Sequence, residues 1–367
     1  MICVKDEIRE YALSIGFDVV GFTGADVFDI ADVLKERGEK GYLSGLEKGG
    51  IEERIDPRKV LPEARSIISV GIYYGGTKRS EKNKGMISQS GRGRDYHLIL
   101  DKMMGELVDY LKCEYNAEAV CLADNDPLVD REIARRAGVG FFGKNCSIIN
   151  PFMGSWIFLG EILTDLDILP DVPLMHDCGD CDRCIKACPT GAIAAPYVLN
   201  AKRCLSYVTV MKGFVPSEFR ERLQNRIYGC DTCQEACPYN RVDLPVNSCL
   251  AQDIPYDMED IGFILSMDSK QFKESFKNTS AGWRGRTVIQ RNGLIAAGNM
   301  RLKGQAENII RLLSDERPVI RGTAAWAISR IMGKEALGIL YEASKIEKDS
   351  EVRREIEEAI SWIKKGQ

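Results

Sequence analysis

Eight of the thirteen cysteines fall within sixty residues, and their spacing limits what that stretch can fold around. The first run is Cys178-x2-Cys181-x2-Cys184-x3-Cys188-Pro189. The second is Cys230-x2-Cys233-x3-Cys237-Pro238, with Cys204 upstream. Thiolates this close let one short loop wrap a cubane iron–sulfur cluster, and the proline ends each run. In two-cluster arrangements the fourth cysteine of each run crosses to the other cluster. That assigns Cys178, Cys181, Cys184 and Cys237 to one cluster, and Cys188, Cys230 and Cys233 to the second. A regular second run would begin at position 227, where Ile227 stands, so Cys204 is the natural substitute. Two [4Fe-4S] clusters and one-electron transfer are therefore expected. A pair of zinc ribbons is the lesser alternative, because CxxC pairs also bind zinc but do not call for a nearly repeated x2-x2-x3-Pro pattern. A disulfide framework fits less well still, since Met1 to Glu7 leads into a charged amphipathic segment with no secretory signal.

A chain of 367 residues is long enough for two or three domains. Its 44% apolar and 28% charged residues are those of a water-soluble globular protein. The longest apolar runs, such as 155–160, are strand-length and too short to span a bilayer. A cytoplasmic location, where thiols stay reduced, and no membrane partner are expected. The net charge of −4 conceals a local excess: residues 281–330 hold nine Lys/Arg against three Asp/Glu. A basic block in an acidic chain points to a polyanion.

The pattern divides the chain into 1–170, 171–245 and 246–367. In the first part 6–14, 96–111 and 128–137 read as helices, and 64–74, 119–123, 146–149 and 156–163 as strands. The cysteine segment follows. An acidic connector over 246–280 with one or two helices leads to an all-helical stretch from about 281. There 286–298 and 318–328 look alike, each with the Arg/Pro–apolar–Arg–small–Ala pattern of HEAT-type helix pairs.

Within Asp124-Asn125-Asp126-Pro127, Pro127 suits a first helical turn and Asp126 reads as the N-cap. Asp124 is left at a strand end, where an acid can donate a proton if burial raises its pKa; alternatively it hydrogen-bonds the same turn. Gly138, Gly140 and Gly143 permit either tight turns or close approach of a ligand to backbone. They form no dinucleotide fingerprint. With only two histidines, His97 and His176, a histidine-based catalytic metal centre is excluded.

Taken together, these segments resemble the epoxyqueuosine reductases, corrinoid iron–sulfur enzymes of queuosine biosynthesis. The resemblance is carried by Arg54-Ile55-Asp56-Pro57-Arg58, Gly93-Arg94-Asp95-Tyr96-His97, the Asp124 to Arg131 segment, Arg136 to Asn145, the first cysteine run, Cys204 to Tyr207, Asn225 to Gln234, and Trp283-Arg284-Gly285-Arg286 with Arg291-Asn292. It implies an α+β fold: a cobalamin-binding domain akin to that of reductive dehalogenases, a two-[4Fe-4S] ferredoxin-like module and C-terminal HEAT-like helices. It also implies reduction of the epoxide of epoxyqueuosine at the tRNA wobble position, with cobalamin and an external electron donor, by a monomer. On that resemblance Asp124 is the proton donor. Arg54, Tyr96, His97, Lys144, Asn145, Ser147, Ser206 and Tyr207 lie in blocks around the corrinoid. Trp283, Arg284, Arg286 and Arg291 are candidates to contact the tRNA anticodon stem-loop, although Trp283 reads equally as a helix-packing residue. The chain departs from the family pattern at Asn125-Asp126, Ser90-Gly91 and Met211. Two other readings are a corrinoid reductase of a small molecule and a ferredoxin-type electron carrier.

Overall fold

The computed structural model describes residues 4–75, 84–124, 126–241, 244–250 and 256–366. They form two compact units that interleave along the chain. One takes the described residues within 1–77, 94–204 and 231–252, and the other those within 78–93, 205–230 and 253–367. These units cut the chain differently from linear boundaries at 170 and 245, because the cysteine segment contributes to both.

The first unit is built on a four-stranded antiparallel sheet. Its strand order is Val19–Gly24, Ser66–Tyr73, Ile157–Thr164, Ala119–Leu122. Every residue of Ser66–Tyr73 is buried, as the run of Ile and Val predicts for a central strand covered on both faces. Alternation along the strand sends its side chains to two different cores. Ile68, Val70 and Ile72 pack with Leu100, Met104 and Leu107 of the helix Tyr96–Tyr115. Ile67 packs on the opposite face with Leu122, Ile133 and Leu163. On that second face a Cβ at Gly21 would meet the Ala137 carbonyl oxygen at 2.1 Å, so only glycine lets the chain after the helix Asp130–Arg136 lie on the sheet.

The helix Tyr96–Tyr115 starts where Asp95 caps it, accepting a hydrogen bond from the His97 backbone N–H, and ends at Asn116 in the left-handed conformation. The expected helix over 128–137 is shorter. It begins at Asp130 with Val129 at its N-cap position. Asp126 is not its cap; its carboxylate instead accepts from the Ala123 N–H at 2.8 Å, closing the turn after the strand. The expected strand 146–149 contracts to Ile148–Ile149, paired with Phe141–Phe142. Cys146 stands outside it in the left-handed region. Gly138 turns the chain at positive φ, and a Cβ at Gly140 would strike Ile148 and Ile149. Both glycines thus serve the hairpin.

The second unit is helical and holds its own apolar core. Its main helices are Arg286–Met300, Ala306–Leu312, Pro318–Met332, Leu337–Ile346 and Ser350–Lys364. The two look-alike segments form its centre, with Gly298 set directly against Trp326 and Ala327. Arg220 and Glu355 make a two-pronged ion pair at 2.6 Å, each side chain 4% exposed. Removing one partner strands the other charge in the core. Glu355→Ala should therefore lower unfolding free energy by about 3–5 kcal/mol, read as a fall in the denaturation midpoint at unchanged m-value.

Candidate functional site

At the start of the Tyr96–Tyr115 helix, Tyr96 and His97 meet the loop after the edge strand, and Asp95 backs His97. Tyr96 donates its hydroxyl hydrogen to Asp124 Oδ2 at 2.9 Å. His97 Nδ1 lies 2.7 Å from Asp95 Oδ1, and its Nε2 lies 3.4 Å from Asp124 Oδ2. Tyr96 stacks between His97 and Phe158, with ring centroids 4.1 and 3.9 Å away. One imidazole is thus clamped by a carboxylate at each nitrogen and by an aromatic ring on its face.

The electrostatics follow from this geometry. Hydrogen bonds to Asp124 and then Asp95 raise the His97 pKa to about 9, against the opposing effect of burial. His97 is therefore an imidazolium at neutral pH. Its hydrogen bond, aided by that of Tyr96 and opposed by burial, holds Asp124 below the usual carboxylate range. Asp95 is lowered by the same imidazole. The condition under which Asp124 would donate a proton of its own, a pKa raised by burial, is not met. Its side chain is 60% exposed, and a cation stands beside it. Asp124 also takes a positive φ of 56°, which fits a residue fixed by a turn rather than by the strand.

Carboxylates behind the loop behave in the opposite way. Burial raises Asp130, and it raises Asp126. Glu161, in the middle of the strand Ile157–Thr164, is 2% exposed and is raised well above the ordinary value by burial and then by Asp130, Asp126 and Asp124. Its Oε1 has no hydrogen-bond partner, and neither does the Oγ of Ser69, its cross-strand neighbour. Arg54, half-buried in the helix Ile51–Ile55, feels Asp130 and belongs to the same field. Sequence reasoning missed Asp95, Phe158 and Glu161. A lone acid within the apolar run Ile157-Phe158-Leu159-Gly160-Glu161-Ile162-Leu163 was the available signal for the last.

In the same unit, Cys178, Cys181, Cys184 and Cys237 line one pocket, together with Lys144, Asn145 and Tyr239. This is the crossed set expected from the spacing, and the structure brings all four thiols together. The Lys144 N–H points at Cys178 Sγ at 3.4 Å, and its ammonium reaches the Gly179 carbonyl. Lys144 and Asn145 thus stand at the cysteine pocket. Asn145 Oδ1 accepts from the Ser147 N–H, while its buried Nδ2 has no partner. Cys188 Sγ accepts from the Ala192 N–H at 3.3 Å. Thr190 binds the Arg203 carbonyl and Arg203 binds the Thr190 carbonyl, which ties the Cys188 segment to that of Cys204. None of Cys178, Cys181, Cys184, Cys188 and Cys237 is tied up in a disulfide. Cys233 belongs to this unit, and Cys230 ends the segment contributed to the other.

The helical unit carries the remaining candidates. Ser206 and Tyr207 lie on the helix Leu205–Val210. Trp283 is 55% exposed, with the Arg284 guanidinium 4.0 Å from its ring, so it is a surface residue and not a packing one. Arg286 donates to the Met267 carbonyl. Arg291 must be removed from the RNA-contact set. It is 1% exposed, and its guanidinium donates to the carbonyls of Met211, Gly213, Val208 and Thr209, where no phosphate can reach it.

Comparison with known proteins gives these features a common setting. Residues 54–125 match the family model "Epoxyqueuosine reductase QueG, DUF1730". Residues 177–240 match the 4Fe-4S double cluster binding domain, which decides against zinc ribbons, and 286–361 match HEAT repeats. The epoxyqueuosine reductase of Bacillus subtilis (strain 168) is 40% identical over 98% of this chain and 96% of its own length. A crystal structure of an epoxyqueuosine reductase with a tRNA-Tyr epoxyqueuosine-modified stem loop superposes with a TM-score of 0.94 at 41% identity, covering 98% of this chain and 99% of that one. A Bacillus subtilis reductase structure with its catalytic aspartate loop swung out of the active site gives 0.93 at 39% identity, covering 98% of each chain. With agreement over almost its whole length, the chain belongs to the epoxyqueuosine reductase family.

Proposed function

We propose that this protein is an oxidoreductase that removes the epoxide oxygen of epoxyqueuosine at the wobble position of tRNA, leaving queuosine. The observation that carries this reading is the end-to-end match to a reductase solved with an epoxyqueuosine-modified tRNA stem loop. Deoxygenating an epoxide to an alkene takes two electrons and two protons, the oxygen leaving as water. Two [4Fe-4S] clusters, fed one electron at a time by an external donor, and cobalamin supply the reducing chemistry when bound. The ligands are Cys178, Cys181, Cys184 and Cys237 for one cluster, and Cys188, Cys204, Cys230 and Cys233 for the other.

The residues of the first unit suit a corrin fringed with amide arms, which both donate and accept hydrogen bonds. Asn145 Nδ2, Trp156 Nε1, Ser69 Oγ and Glu161 Oε1 are buried polar atoms of that unit without partners. Arg54, Tyr96, His97, Asn145 and Ser147 would hold the cofactor from this unit. Trp283, Arg284 and Arg286 would meet the anticodon stem-loop, by stacking and by phosphate contacts. Among the described residues no helix is long and apolar enough to cross a membrane. A monomer working in the cytoplasm, where tRNA is modified, fits this chemistry.

Asp124 is the group that hands the proton to the leaving oxygen. It stands ionised beside an imidazolium, so the proton it passes on is drawn from His97 as negative charge develops on the epoxide oxygen. Tyr96 and Asp95 hold donor and imidazolium in line. The catalytic aspartate loop of the Bacillus subtilis relative supports this role for the Asp124 loop.

Two outcomes test the reading. Asp124→Asn, assayed anaerobically on tRNA carrying epoxyqueuosine, should keep about eight iron atoms per chain and bind cobalamin, but lose about 10²–10⁴-fold in kcat. Undiminished turnover would remove Asp124 from the reaction. The second is a pH dependence. The folded His97 pKa of about 9 lies above the ordinary value of about 6.5. The stabilisation it contributes is therefore complete below about 6.5 and is lost as pH rises through about 9. The carboxylates, held low, keep the network charged well into acid. Turnover should stay level through neutrality and fall as pH passes about 9; a fall centred near 6.5 would contradict the network.

A further inference from the structure

The helical unit holds a second cavity, whose lining shares no residue with the aspartate loop or the cysteine pocket. Its volume is about 400 Å³, and it is lined by Arg330, Arg301, Trp362, Asn225, Gln224 and Glu221, among others. Arg330 is the unusual member. Its side chain is 14% exposed, and its guanidinium lies 3.6 Å from the ring centre of Trp362 and 5.0 Å from that of Trp326. Nε and Nη1 have no hydrogen-bond partner. The nearest carboxylate, Glu221, stands 3.9 Å from Nη2 and is itself 76% exposed, so it makes no hydrogen bond there.

Other arginines of this unit are treated differently. Arg220, which also faces Trp326, is fully paired with Glu355. Arg317 and Arg321 are paired with Asp315 and Glu347. Arg330 has been taken out of water without such a partner. Burial, with Arg220 and Arg301 adding repulsion and Glu221 opposing them, lowers it to about 10, which leaves it charged at neutral pH. A buried cation whose nearest carboxylate stands 3.9 Å away and faces solvent is poorly compensated. Aromatic rings on its faces offset part of that cost, and an anion meeting its edge from the cavity would offset more. Arg301, exposed at the left-handed C-cap of Arg286–Met300, brings a second guanidinium to the same cavity. Two forked donors converging on a polar cleft form a recognition site for a phosphate group. Lys303 and Arg311, both exposed, add positive charge to the unit.

We propose that the cleft between Arg330 and Arg301 is a phosphate site that takes a backbone phosphate of the tRNA away from the reacting nucleotide. The choice of RNA as the source rests on the function proposed above, whereas the phosphate chemistry rests on the cleft alone.

The test is the salt dependence of tRNA affinity, measured on cluster- and cobalamin-loaded full chain for wild type, Arg330→Gln and Arg301→Gln. Each substitution should lower the slope of log Kd against log salt by about 0.7–0.9, the loss of one phosphate contact. Arg301 is exposed, so its variant remains informative if Arg330→Gln fails to fold. In parallel, inorganic phosphate should raise the wild-type Tm and do so less in Arg301→Gln. Unchanged slopes in both variants overturn the RNA assignment. If the phosphate effect on Tm then still depends on Arg301, the cleft serves a free anion instead; if that also is absent, the site does not exist. Wild-type protein that binds tRNA without reducing it would sink the proposed reaction while leaving the slope comparison intact.

Discussion

An imidazolium held between two carboxylates sets the electrostatics of the loop after the edge strand. Asp95 caps the helix that carries Tyr96 and His97, so capping the helix and orienting the imidazole are one act by one side chain. The far nitrogen of that imidazole then faces the loop at the end of the edge strand and sets the charge of Asp124. Phe158, on the strand paired with both Ser66–Tyr73 and Ala119–Leu122, supports Tyr96 from below. A fault in sheet register would therefore move the aromatic support and the carboxylate together. Glu161, on the strand that bears Phe158, is pushed well above the ordinary carboxylate range by burial, the opposite of what His97 does to Asp124.

Much of this was legible in the residues. The cysteine spacing predicted a crossed ligand set, and Cys237 does join Cys178, Cys181 and Cys184 around one pocket. The apolar run at 64–74 marked the central strand, and the HEAT-like repeats were visible as two similar segments. What could not be read was electrostatic. Sequence alone left Asp124 either as a proton donor if burial raised its pKa or as a turn residue, because whether a carboxylate is raised or lowered depends on what stands within a few ångströms of it. His97 is far from Asp124 in sequence and adjacent in space. Asp126 was mistaken for a cap because Pro127 suggested a helix start, when the Ala123 N–H had a prior claim on that carboxylate.

The basic block offers the same lesson in charge counting. Nine cations against three anions between 281 and 330 suggested a positive face. Yet Arg291 is spent on backbone carbonyls inside the core, and Arg317 and Arg321 on carboxylates of the same unit. Arginine that binds several carbonyls at once works as an internal brace. The charge left for a polyanion is therefore concentrated on fewer residues, with Trp283 and Arg284 at one place and Arg301 and Arg330 at another.

The central claim concerns His97, and the chain has only two histidines, so its imidazole can be followed individually by NMR. Titration of wild type against His97→Gln assigns the resonance, and titration of Asp124→Asn reports the coupling. The account predicts an apparent pKa near 9 in wild type and a clear fall when Asp124 loses its charge. A wild-type value close to about 6.5, unmoved in the variant, would contradict it.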